Sequence, residues 1–113
     1  VIAVKSIVQS CLLAFSILGC SQLALGQDLG EASAGFDYAN RICAGCHAVA
    51  RGGRVSPNEK APPFDAVANT RGMNEMALRV WFQAPHPTMP NLAMSPRQKD
   101  DVIAYILSLK ERQ

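Results

Sequence analysis

The sequence predicts an all-α domain of three or four helices, joined by long loops that wrap around something other than side chains. Three observations carry that expectation. Apolar residues recur at helical spacing in three separate windows, and no stretch alternates apolar and polar residues as a half-buried strand would. Helix-start signals mark the last window, where Ser95 precedes Pro96 and Gln98 stands three positions after the serine. The connections are long for so short a chain, and loops of that length in a small domain need something large to fold around.

The first 26 of the 113 residues are set apart from the rest. Lys5 provides a positive start, Ile7 to Leu18 an apolar run broken only by Gln9, Ser10 and Ser16, and Ala24-Leu25-Gly26 a small-residue end. That order is the pattern of a secretory signal peptide cleaved after Gly26. An uncleaved anchor ranks below it, because the apolar run falls short of the ~20 residues that span a bilayer. Ile17-Leu18-Gly19-Cys20 partly resembles a bacterial lipobox, which would leave a lipid on Cys20; bulky Leu18 fits that pattern imperfectly, so it also ranks second. Residues 27–113 are the expected domain.

Within that domain, helical spacing begins near Glu31 or Gly35 and puts Phe36, Ala39 and Ile42–Cys43 on one face. A helical glycine costs ~1 kcal/mol against alanine, so Gly35 calls for a close packing partner. Residues 48–60 read as loop, and Ala61-Pro62-Pro63 as extended chain. Phe64 to Asn69 forms a short helix. Asn74 caps a helix through Gln83 whose buried side is expected from Met76, Val80, Trp81 and Phe82. Pro85, Pro87 and Pro90 end it and stiffen residues 84–93. In the last helix Val102, Ile103, Ile106 and Leu109 make an apolar stripe, with Tyr105 beside it.

Charge points to no polyanionic partner. Eleven basic side chains face nine acidic ones, and setting Lys5 aside leaves ten against nine. Nothing here argues for nucleic acid. The cysteines say more. Cys11 and Cys20 lie in the leader, so the domain keeps only Cys43 and Cys46, followed at once by His47. An exported domain ordinarily uses cysteines for long-range disulfides, and this close pair cannot serve that purpose. A thioredoxin-like dithiol needs a βαβ setting that the helical pattern lacks. A structural zinc centre needs four ligands, and the domain offers only Cys43, Cys46, His47 and distant His86. Cys43-Ala44-Gly45-Cys46-His47 is the C-x-x-C-H pattern of covalent haem attachment. Two thiols three positions apart reach two vinyl groups on one side of a porphyrin, and the next residue is drawn beneath the iron.

On these residues the chain resembles a bacterial class I cytochrome c, over essentially all of residues 30–110. Asp101-Val102-Ile103-Ala104-Tyr105-Ile106 is similar to that family's C-terminal helix. The resemblance implies that this helix crosses the first one, with Gly35 and Ala39 near Val102, Tyr105 and Ile106. Ala61-Pro62-Pro63-Phe64 resembles the segment whose proline carbonyl accepts a hydrogen bond from the ligating histidine, which implies that Pro62 orients His47. The family more often has glycine where Ala61 stands.

The second axial ligand must come from elsewhere. Met76 falls with apolar residues on a helix face, Met73 follows His47 too closely to cross the haem, and Met94 sits against a helix cap. Met89 lies 42 positions after His47 in the proline-rich loop, and Met89-Pro90 resembles the family's ligand step. Met89 is the expected ligand, with Met94 second; His86 between two prolines reads as an exposed loop residue. Trp81 is expected either in the core or as a donor to a haem propionate. Arg51, Arg54, Lys60, Arg71 and Arg79 are candidates to balance the propionates. Histidine and methionine together leave no open position on iron, which suits a single-electron carrier rather than an enzyme. The expectation is thus one covalent haem c in a monomeric periplasmic electron carrier working between donor and acceptor proteins. A cytochrome subunit of a larger oxidoreductase, attached to the membrane through that partner or a lipid, is the alternative.

Overall fold

Four helices follow one another in the computed structural model: α1 (Ala32–Ile42), α2 (Phe64–Asn69), α3 (Glu75–Gln83) and α4 (Pro96–Ser108). It describes residues 30–84 and 87–112, among which there is no β-strand. The segment expected as a signal peptide, with Cys20, and also Pro85 and His86, lie outside the described residues.

The fold is organised by the crossing of α1 and α4, the most extensive contact between any two helices here. Small residues make it possible. A β-carbon at Gly35 would fall inside the main-chain carbonyl of Asp101, and one at Gly30 inside the Asp100–Asp101 peptide. Ala39 is wholly buried one turn on from Gly35, and Phe36 packs on Tyr105 with ring centroids 5.2 Å apart. The start of α1 is tied down twice. The Glu31 carboxylate accepts from Ser33 N at 3.2 Å, and the Glu31 amide donates to Asp101 Oδ1 at 2.7 Å. Asp101 also pairs with Arg97 at 3.1 Å, so one carboxylate from α4 satisfies a helix-end amide on α1. Ile42 departs from the expected stripe. The buried line runs Gly35, Ala39, Cys43 at intervals of four, which rotates Ile42 out to solvent.

Helix α4 begins as the sequence predicts. Ser95 Oγ accepts from Gln98 N at 3.2 Å, Gln98 Oε1 accepts from Ser95 N at 2.9 Å, and Pro96 occupies the first turn. Val102, Ile103, Tyr105, Ile106 and Leu109 are all buried. Tyr105 donates its hydroxyl to Val49 O at 2.6 Å across the core. Tyr105→Phe strands that carbonyl, and should cost the haem-loaded protein about 1–2 kcal/mol in denaturant unfolding.

Helix α3 corrects one expectation. Asn74 caps it as predicted, with Oδ1 accepting from Ala77 N at 2.9 Å. Its buried side, however, is Leu78 with Phe82 beside it, while Met76, Val80 and Trp81 are 68, 57 and 56% exposed. Arg79 lies between Glu75 at 2.8 Å and Asp100 of α4 at 2.7 Å, which ties α3 to α4 in this orientation. Leu78 then faces the core and Met76 with Val80 the opposite way, since residues two apart on a helix diverge by ~200°.

Candidate haem site

The end of α1 leads directly into the C-x-x-C-H turn. Cys43 closes the helix through its amide to Ala39 O at 2.8 Å, and Cys46 N and His47 N both bond back to Cys43 O, at 3.1 and 2.9 Å. The turn therefore continues the helical path, so the positions of both cysteines follow from the α1–α4 crossing. Neither thiol is engaged in a disulfide. Cys46 is exposed, whereas Cys43 is buried, and that burial, with the neighbouring Cys46 second, pushes the Cys43 thiol above its usual pKa. A raised pKa keeps this sulfur a neutral S–H.

His47 is held on its side-chain end by Pro62, whose carbonyl lies 2.7 Å from Nδ1. A carbonyl can only accept, so Nδ1 carries the proton and Nε2 offers its lone pair. The ring leans on Phe64, with centroids 5.3 Å apart. Alanine at position 61 leaves this arrangement intact, because Ala61 N closes a turn on Asn58 O at 2.9 Å that delivers Pro62 to the imidazole.

The methionine loop meets the end of α3 in a concavity lined by Trp81, Phe82, Met89, Pro90, Leu92 and Met94, among others. Met94 is buried in the core, Met73 packs against its edge, and Met89 is half-buried. Trp81 is on the concavity wall and is not a core residue. Of the five cations named from the sequence, Arg79 is committed to Glu75 and Asp100, and Arg51 donates to Ser108 O at 2.6 Å. Arg54, Lys60 and Arg71 are exposed.

The residues fit a covalent haem: two thiols at the right spacing, an imidazole with its metal-binding nitrogen set by the other, and a thioether in the hollow beside Trp81 and Phe82. Among the described residues no three His, Cys, Asp or Glu are grouped to hold a metal ion by themselves. Residues 32–110 match the model of the family described as Cytochrome c. The chain belongs to the cytochrome c family. It is similar to cytochrome c-552 of Bradyrhizobium diazoefficiens, with 36% identity over 98 residues that cover 87% of this chain and 90% of that relative. No solved structure matches it. As a class I cytochrome c, this chain carries one covalent haem c and transfers electrons. Residue patterns alone do not reveal the roles of two buried polar residues, Asp101, which caps the distant start of α1, and Ser56, which bonds the main chain beside the haem turn.

Proposed function

We propose that this cytochrome c is a periplasmic single-electron carrier whose iron is held between His47 and Met89. The observation that carries the reading is the 2.7 Å contact between His47 Nδ1 and Pro62 O, directly after a C-x-x-C pair. An imidazole oriented by its second nitrogen is a better metal ligand, because the accepting carbonyl fixes the tautomer and raises its basicity. Cys43 and Cys46 would supply the two thioethers, each S–H adding across a vinyl C=C. The haem supplies one-electron Fe(II)/Fe(III) chemistry. Met89 would close the sixth position and exclude small ligands, with Trp81 and Phe82 keeping water from its sulfur.

Export through the expected signal peptide would make the periplasm the working compartment. Osmotic shock of the native host should release a red protein whose N-terminus is Gln27 or its cyclised form. A lipid on Cys20, or an intact leader in the membrane fraction, would contradict the free carrier. Co-purification with a flavin, quinone or copper protein would instead mark the chain as a subunit of a larger oxidoreductase.

A further inference from the structure

We infer that Ser56 is a positioning residue for the haem-ligating histidine, acting through the main chain on either side of it. The inference rests on His47 being the iron ligand. Both peptide groups that flank His47 are pinned by one short stretch of the following loop. On the near side, Cys46 O accepts from Asn58 N at 3.1 Å, and on the far side Ala48 N donates to Ser56 Oγ at 3.0 Å. The next carbonyl, Ala48 O, accepts from Phe64 N at 2.9 Å. With both flanking peptide planes held, the His47 Cα–Cβ vector is fixed, and Pro62 O needs only to set the ring.

Of the main-chain bonds flanking His47, the Ser56 bond alone is made by a side chain, and so it can be removed without altering the backbone. Ser56 is also only 9% exposed in a loop whose neighbours Val55 and Pro57 face solvent. A serine turned inward from an exposed loop, with its hydroxyl on a partly buried amide, is placed for that bond. Without it the amide of Ala48 has no partner and the His47–Ala48 peptide is free to rotate. The ring then tilts away from Pro62 O and the Nδ1–H bond weakens. A less basic imidazole stabilises the ferric state less, so the potential rises.

The test uses the haem-loaded protein as Ser56→Ala and Ser56→Thr, with redox titration and proton NMR of the oxidised form. In Ser56→Ala the ferrous-to-ferric ratio at the wild-type midpoint should rise about threefold, less than the ~10–100-fold cost of losing a direct outer partner, because Ser56 acts on the ring only through the main chain. The Nδ1 proton of His47 should shift with it. Ser56→Thr keeps the hydroxyl and should return both readings toward wild type. Unfolding at lower denaturant with potential and Nδ1 proton unmoved would show a merely structural serine and overturn the inference. If Ser56→Ala does not load haem, Ser56→Cys, with its weak acceptor, takes its place: a raised potential with a shifted Nδ1 proton supports the inference, and both unmoved overturns it. A wild-type spectrum without iron-shifted His47 protons would instead overturn the ligand assignment itself, and the inference with it.

Discussion

Met89→Ala should abolish the weak far-red sulfur-to-iron band of the oxidised protein, lower its potential and open the ferrous iron to carbon monoxide. A thioether favours Fe(II), so replacing it by water or nothing should shift the midpoint down on the order of 0.1 V, a fraction of the roughly 0.8 V span set by axial ligands. The fall follows from placement. Met89 is half-buried in the hollow between α3 and its loop, whereas Met94 fills the core and Met76 faces solvent. Pro87 and Pro90 restrict the loop, so little chain entropy is lost when the sulfur binds. Met94→Ala should instead cost about 2–3 kcal/mol of stability, as a core truncation, while keeping the band. Loss of the band in Met94→Ala alone would transfer the ligand role to Met94. Persistence in both variants would leave His86 or another group on the iron.

Gly35→Val should destabilise the folded protein more than any other single exchange in α1. The new β-carbon would overlap Asp101 O and stand 2.8 Å from Tyr105 Cβ, so α4 would have to withdraw as a rigid body. Withdrawal pulls Tyr105 from Phe36 and from Val49 O, and Asp101 from the Glu31 amide. Overpacking alone costs ~1–3 kcal/mol, and losing the buried hydrogen bonds adds about as much again. The helix gains back less than the ~0.5–1 kcal/mol of a glycine-to-alanine exchange, since valine is β-branched. A net loss of about 2–5 kcal/mol is a large share of the ~5–15 kcal/mol that holds a domain folded. Asn40→Ala, on the exposed side of the same helix, should stay within ~0.5 kcal/mol in the same denaturant titration. Equal midpoints for Gly35→Val and Asn40→Ala would refute the close crossing.

The glycine and methionine cases show what kind of information the sequence holds. Local signals were legible: the Ser95–Gln98 cap, the Asn74 cap and the bounds of α2 all stand where residue type and spacing place them. The haem turn and the apolar stripe of α4 were legible for the same reason, since each is written in adjacent residues or in one period. The rotation of α3 was not. Met76, Val80 and Trp81 outnumber Leu78 and Phe82, and which side meets the rest of the fold depends on contacts with distant elements, such as Arg79 with Asp100 across 21 positions. Asp101 and Ser56 escaped likewise, because a serine or aspartate in a polar stretch looks solvated until the fold brings a backbone amide to it.

The central claim is that Cys43 and Cys46 bind one haem covalently, and the intact mass of the exported, matured protein tests it most directly. Thiol addition to a vinyl group expels nothing, so the denatured chain should weigh the polypeptide from Gln27 plus one whole haem. A denatured chain at the bare polypeptide mass, with haem recovered free in the extract, would contradict it.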